Sequence, residues 1–348
     1  MKFYTSVLPY RGRLLVRGVD KDGTQKKYRI NYKPSLFVPV GKETKYKTLD
    51  GRYVEKIKFQ SIPESTKWVN EYKNVTNFEY FGNTRHQYPF IADEFSGKID
   101  WDLSQIKLLS IDIECESENG FPSPDKAAEP LICITVKDHT SKKIIVFGMG
   151  NFVNDREDVQ YFNCSTETHL IEMFTKFWVE YNPDIITGWN VKFFDIPYLM
   201  NRFKNIMGEE WIHQFSPWGI VNEGTTLGLG YNRQEKYFDL LGVATLDYLD
   251  LYRKHTFVRR ESYKLDHIGE VELGQNKLEN PYDTFKEFYQ NDYQRFVEYN
   301  IQDVELVDKL EDKMQLIALH LTMAYEAKVN YQDVFGQVRV WDTIIYNH

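Results

Sequence analysis

The chain has 348 residues with 43 Lys/Arg against 51 Asp/Glu, a formal net charge of −8, and only three cysteines. That length is too great for one typical domain and suits two with full cores. Cys115, Cys133 and Cys164 show no paired spacing, which excludes a disulfide framework or a cysteine zinc site and fits a reducing cytoplasm. The N-terminal Met-Lys-Phe-Tyr-Thr-Ser has no apolar signal core and no run of 18 apolar residues occurs, so no membrane association is expected. Charge is uneven. Residues 1–104 hold 19 Lys/Arg and 12 Asp/Glu, a formal +7, and the remainder is −15. A basic lobe joined to an acidic one points to a polyanion for the first, and bound divalent cations reverse the local sign in the second.

The first hundred residues read as β-rich. Phe3–Leu8, Arg13–Val19 and Lys27–Tyr32 are short apolar or alternating runs, Asp22-Gly23 is a hairpin signal, and Asp50-Gly51 marks another turn. Glu64–Tyr72 is helical in pattern, and the polar stretch Phe95–Ser104 holds the expected domain join. From Lys107 the pattern changes. Lys107–Ile113, Leu131–Val136 and Lys143–Phe147 predict three strands in succession. A helix over Thr166–Tyr181 follows, capped by Ser165 or Thr166, with Leu170, Ile171, Phe174, Phe177 and Trp178 on one face. Asp184–Gly188 predicts a short strand and Ile196–Met207 a helix. This is an α/β order. Residues 219–240 predict a glycine-rich hairpin; Gly228-Leu-Gly230 lacks a following Gly-Lys-Ser/Thr, which argues against a phosphate loop. A strand at Ala244–Leu251, a long helix over Asn291–Leu319 and a β-like segment at Gln337–Ile345 complete the prediction.

Four acids stand out by context. Asp112 and Glu114 alternate along an apolar strand, so both face one side while Ile111 and Ile113 face the other. Carboxylates so placed repel unless cations lie between them; the plain alternative is a solvated strand end. Asp195 precedes Ile-Pro-Tyr-Leu-Met, where a helix cap is the alternative. Tyr299 and Asp303 lie four apart on one helix face, where a structural tyrosine–carboxylate bond is the alternative. Together they make a carboxylate set drawn from separate elements, as a two-cation phosphodiester-cleaving site requires. Without histidine in these motifs, magnesium or manganese suits the set better than zinc.

Order and context resemble the tyrosine-bearing branch of the DEDD exonuclease superfamily, and more narrowly the N-terminal half of a family B DNA polymerase of the T4-like phage type. Besides the acids, the resemblance rests on Phe121-Pro-Ser-Pro, Gly188-Trp-Asn190, Phe194-Asp-Ile-Pro-Tyr-Leu-Met-Asn-Arg-Phe, Leu246-Asp-Tyr-Leu-Asp-Leu-Tyr-Arg-Lys and Trp341-Asp-Thr-Ile-Ile-Tyr-Asn. It implies a ribonuclease-H-like exonuclease domain over 105–320, a smaller β-rich N-terminal domain over 1–104, and a segment 321–348 returning to that domain. It implies two Mg2+ or Mn2+ ions held by Asp112, Glu114, Asp195 and Asp303, and Tyr299 orienting the attacking water. Phe121, Asn190, Phe194 and Tyr198 become candidate contacts to the terminal nucleotide, with core packing the favoured alternative for the three aromatics, and the 219–240 hairpin a candidate for parting primer from template. The expected activity is 3′→5′ removal of nucleoside 5′-monophosphates from single-stranded or frayed DNA ends, in a bacterial host cytoplasm if the gene is a phage's. The palm motifs Asp-x-x-Ser-Leu-Tyr and Tyr-Gly-Asp-Thr-Asp do not occur. The chain is therefore expected to be a truncated piece or one member of a split polymerase, without synthesis by itself. Two further readings remain open: a module binding RNA or DNA through Arg11, Arg13, Arg17, Lys26, Lys27 and Arg29, and a scaffold that docks a separate polymerase chain.

Overall fold

The computed structural model describes residues 1–117, 121–227 and 234–347 and divides the chain into two compact units. One comprises Met1–Asp102 together with the segment from His320 onward, the other Leu103–Leu319. Among the described residues no helix is long and apolar enough to cross a membrane.

The first unit begins with three antiparallel strands in sequential order, β1 (Phe3–Tyr10), β2 (Arg13–Val19) and β3 (Gln25–Ile30). Asp22 turns the β2–β3 connection by accepting the Thr24 N–H at 3.0 Å, with Gly23 at φ +82°. A second sheet has β6 (Tyr53–Lys58) between β4 (Ser35–Pro39) and β5 (Tyr46–Lys47). Helix α1 (Ile62–Tyr72) is capped by Ser61, and α2 (Gln87–Glu94) is a further helix that the sequence pattern does not announce. The late segment is built into the core. The Tyr4 hydroxyl donates to Val329 O at 2.6 Å, and the Tyr325 hydroxyl donates to Tyr4 O at 2.8 Å. Asn330 accepts from Val7 N at 2.8 Å and donates to Val7 O at 2.9 Å. Arg17 is fully buried, which removes it from the basic cluster expected at the surface; Arg11, Arg13, Lys26, Lys27 and Arg29 are exposed.

The second unit is a mixed α/β unit on one six-stranded sheet. Its strands are β7 (Leu108–Cys115), β8 (Leu131–Asp138), β9 (Ile144–Gly148), β10 (Val159–Asn163), β11 (Ile185–Thr187) and, after the hairpin described next, β14 (Ala244–Thr245). The sheet order is β10-β9-β8-β7-β11-β14, with β8 antiparallel to both its neighbours and the other pairs parallel. Helices α3 (Glu167–Tyr181) and α4 (Asp195–Met207) pack with Ile111, Ile113 and Ile134 in one apolar cluster. The opposite face, with Ile132, Ile144 and Val146, receives Phe296, Val297 and Ile301. Thr166 caps α3 through the His169 N–H at 3.2 Å. The hairpin is β12 (Val221–Leu227) paired with β13 (Gln234–Leu240); residues 228–233, including the Gly228-Leu-Gly230 motif and the hairpin's tip, lie outside the described residues.

Four expectations change. A further strand, β10, extends the predicted three. The predicted strand over 244–251 stops at Thr245 because the Asp247 carboxylate caps α5 (Tyr248–His255), and helix α6 (Leu265–Leu273) follows. The predicted long helix is three: α7 (Phe285–Asn291), α8 (Tyr293–Met314) and α9 (Leu316–Ala327). Asp292 ends α7 and caps α8 through the Arg295 N–H, and Gln315 at φ +52° ends α8 in the left-handed region. The β-like segment at 337–345 is helix α10 (Gln337–Asn347). Its Val338 and Val340 alternate as in a strand, yet Val340 and Thr343 are the buried pair, which is helical spacing.

Helix α8 is tied to the sheet by charge. Asp308 is buried and receives Lys137 and Lys142 at 2.8 Å each and His139 at 3.4 Å. Burial pushes its carboxyl up, but hydrogen bonds from His139, Lys137 and Lys142 outweigh this and hold it below the ordinary range. Asp308→Ala leaves Lys137 buried without its partner and should cost about 3 kcal/mol, whereas Asp312→Ala removes an exposed pair partner and should cost less than about 1 kcal/mol. Urea unfolding curves of the two variants measure this; equal losses would contradict the assignment.

Candidate metal centre

The two-residue period of β7 turns Asp112 and Glu114 away from the α3–α4 cluster and toward α8. From α8, Asn300 and Asp303 point back, both buried in a helix whose Phe296, Val297, Ile301 and Val304 seat it on the sheet. Carboxylate oxygens of Asp112, Glu114 and Asp303 all lie within 4.8 Å of one another. The Asn300 side-chain amide donates to Asp112 Oδ2 at 2.5 Å, and its carbonyl accepts from the hydroxyl of Thr135, which sits opposite Asp112 in the β7–β8 register. Lys277 forms an ion pair with Asp303, and its ammonium lies 4.8 Å from the Tyr299 ring centroid. The Tyr299 ring packs on Phe285 and Phe288 of α7 at 6.0 and 5.9 Å.

Asp195 approaches from the other side of β7. It is the first residue of α4 and makes no cap to that helix; instead it accepts the Ile113 N–H at 3.1 Å. The turn before it is tightly held. Gly188 has φ +154°, and a Cβ there would meet Ile111 O at 2.4 Å, so the backbone passes directly against β7. Asn190 adopts φ +66°. The buried Asp247 carboxylate accepts from Asn190 N and Lys192 N at 3.0 Å each, as well as from Leu249 N in its own cap. The Trp189 indole donates to Tyr263 O at 3.0 Å.

Phe121 is 81% exposed, and its ring centroid lies 4.6 Å from that of Phe194. Tyr198 takes up the core alternative. It is fully buried, its hydroxyl donates to Glu129 O at 2.6 Å, and its ring lies 5.8 Å from Phe194, so it supports Phe194 from beneath and offers no open face. Helix α4 also grips the loop after Phe121 by its carbonyls: Asn201 donates to Pro124 O, Arg202 to Ala128 O and Asn205 to Lys126 O, at 2.9, 2.7 and 3.0 Å.

These acids are set against ordinary ionisation. Burial, then the charges of Asp303, Asp195 and Glu114, push Asp112 well up. Burial and Asp303 push Glu114 to about 8. Burial raises Asp195 to about 8 against the Ile113 hydrogen bond, and raises Asp303 against the Lys277 charge. One oxygen, Asp303 Oδ1, is buried without a hydrogen-bond partner among the described residues. A crowded set of hard oxygen donors with an orphaned carboxylate atom fits a divalent cation. The sequence reading gives no role to Lys277, Asn300, Thr135 or Asp247; Asn300 carried a signal beside Tyr299 and three residues before Asp303, and Asp247 lies in the Leu246–Lys254 motif that carried the resemblance.

The raised carboxyls make a pH prediction. Folded Glu114 and Asp195 keep protons that the unfolded chain releases near the ordinary values of 4.5 and 3.8. Their contribution favours folding at low pH and is lost as pH rises toward about 8. A cation that replaces those protons should therefore raise the melting temperature more at about pH 9 than at about pH 6. Melting curves in EDTA and in magnesium test this, and a pH-independent cation effect would contradict it.

Comparison with known proteins agrees with the geometry. Residues 65–268 match the exonuclease domain of DNA polymerase family B; the match includes Asp112, Glu114 and Asp195 and stops before Tyr299 and Asp303. The chain is 31% identical to the DNA-directed DNA polymerase of Escherichia phage RB69 and 29% identical to that of Enterobacteria phage T4. Each alignment takes in 99% of this chain, which spans 41% of the length of either relative. Similarity reaches the DNA polymerase delta catalytic subunit of Schizosaccharomyces pombe, 25% identical over 64% of this chain and 21% of that subunit. The chain belongs to DNA polymerase family B, of which it carries the exonuclease domain.

Proposed function

We propose that this chain is a 3′→5′ DNA exonuclease, the proofreading portion of a replicative family B polymerase, releasing nucleoside 5′-monophosphates from single-stranded or frayed ends. The observation that carries the reading is the convergence of half-buried Asp112 and Glu114 with buried Asp303, whose Oδ1 has no hydrogen-bond partner among the described residues. The sheet order, with α3 and α4 on one face and α8 on the other, supports a ribonuclease-H-like unit. Polymerisation and its partner chain or segment belong to the part of the relatives that this chain does not span.

Asp112, Glu114 and Asp303, with Asp195 from α4, are the residues that would hold magnesium or manganese. Bound cations of this class lower the pKa of water and stabilise the attacking and leaving oxygens of an in-line displacement. In the hydrolysis a water O–P bond forms, the P–O3′ bond breaks, and the 3′ oxygen ends with a proton. Tyr299, beside Asp303 and backed by Phe285 and Phe288, orients the water through its hydroxyl. Lys277 neutralises part of the acid set and limits the repulsion that burial magnifies. Asn300 aims the Asp112 carboxylate. Phe121 and Phe194 take the terminal base by stacking, with Asn190, whose carbonyl accepts the Phe194 N–H at 3.1 Å, next to that pair. Asp247 fixes that turn and thereby Asp195.

Incubation with 5′-labelled single-stranded DNA and magnesium, beside an EDTA control, tests the reading. Asp112→Ala and Asp303→Ala should each lower 3′-end shortening by about 1000-fold, and Tyr299→Phe by about 10- to 100-fold. Cleavage at the parent rate by pure Asp112→Ala protein would sink the assignment. Asp247→Asn turns an amide N–H2 group against the donor of Asn190 or Lys192, and a loosened turn should cost about 100-fold in kcat. If that variant turned over like the parent, Asp247 would have no positioning role.

A further inference from the structure

The second unit is strongly acidic, yet one short stretch reverses its sign. Residues 253–264 hold five Lys/Arg (Arg253, Lys254, Arg259, Arg260, Lys264) and one acid, Glu261. This stretch runs from the end of α5 to the start of α6. Its tip shows Phe257 at 99% exposure and Val258 at 59%. An aromatic ring with almost its whole surface in water contributes no burial to the fold. Arg259 beside it is exposed and makes no ion pair among the described residues.

The base of the stretch, by contrast, is fastened. Arg260 donates to the Tyr252 hydroxyl at 2.8 Å and to Glu272 at 2.6 Å. The Arg253 guanidinium lies 4.7 Å from the Tyr263 ring centroid, and that ring lies 6.3 Å from Tyr252. Tyr263 O accepts the Trp189 indole N–H, and Trp189 belongs to the turn that leads into Asp195. The tip is therefore presented by a braced loop whose foot rests on the acid site's own turn. An exposed ring flanked by cations on a braced loop is the chemistry that stacks a base and meets its phosphates.

We infer that Phe257, Arg259 and Lys264 form a second contact for single-stranded DNA, engaging the strand away from its 3′ terminus. The inference rests on the nuclease reading only for the identity of the strand. Phe257 supplies a stacking face, Arg259 and Lys264 supply phosphate contacts, and Arg253 stiffens the loop through Tyr263. This cationic loop offsets locally the field that the acidic unit sets against a polyanion.

The test is equilibrium binding of the full chain to a fluorescein-labelled oligothymidylate of about 16 nucleotides, read by anisotropy in EDTA so that no cleavage intervenes. Phe257→Ala should weaken binding about tenfold. Arg259→Ala should reduce the slope of log affinity against log salt by about one, whereas Lys176→Ala, which removes an exposed cation from α3, should leave it unchanged. Melting temperatures equal to the parent's verify the fold, since the altered side chains are exposed. Phe257→Ala and Arg259→Ala binding as Lys176→Ala does would overturn the inference. A parent chain that binds the strand through this loop but never shortens it supports the inference and removes the nuclease reading. Strand shortening with unaltered binding by the loop variants does the reverse.

Discussion

Everything in the second unit answers to one electrostatic constraint: acids that would repel one another once ionised are crowded around β7, Asp303 facing it from α8 and Asp195 from α4. Removing such groups from solvent costs several kcal/mol apiece unless a counter-charge or hydrogen bond compensates. The surrounding residues supply part of that compensation. Lys277 faces Asp303, the Asn300 amide faces Asp112, and the Ile113 N–H faces Asp195. Asp303 Oδ1 is left over. The arrangement is thus arrested short of neutrality, as a site that must receive a cation requires.

Ionisation of those acids would push α8 off the sheet, and both ends of the helix are fastened against it. At the N-terminal end Asp292 caps the first turn and the aromatic cluster of Phe288, Phe296 and Tyr293 binds α7 to it. At the C-terminal end Asp308 gathers Lys137, His139 and Lys142 from the β8–β9 hairpin, and Glu311 accepts the Tyr248 hydroxyl. The acid-bearing middle and the tethered ends belong to one helix. Stability lent at the ends is what permits unfavourable chemistry in the middle, the usual division between functional and structural charge.

What could be read from sequence followed periodicity, and what could not followed tertiary contact. Ile111 and Ile113 alternate with Asp112 and Glu114, so the parity of β7 was legible, as was α3 from its apolar stripe and Thr166. The Tyr299–Asp303 spacing placed both on one side of a helix. The breaks at Asp292 and Gln315 were hidden because neither residue is proline or glycine, and the backbone turns there by capping and a left-handed residue. At 337–345, Val338 and Val340 imitated a strand over too short a window for the helical period to declare itself. Lys277 had no local signature, and the motif holding Asp247 did not disclose what its carboxylate binds. Each matters through partners 26 or more residues away in sequence, Asp303 for one and Asn190 and Lys192 for the other.

The amide of Asn330 pairs with both backbone groups of Val7, doing for the outer edge of β1 what a residue of a fourth strand would do. Those partners are 323 residues apart, which gives the pairing a temporal dimension. On a ribosome adding about 5–20 residues per second, Val7 emerges roughly 20 to 60 seconds before Asn330 exists. For that interval β1 offers a bare hydrogen-bonding edge while the whole second unit is synthesised and can close. An unpaired edge of this kind invites pairing with neighbouring nascent chains, so yield in cells should be governed by the synthesis time of the intervening segment more than by the final stability of either unit.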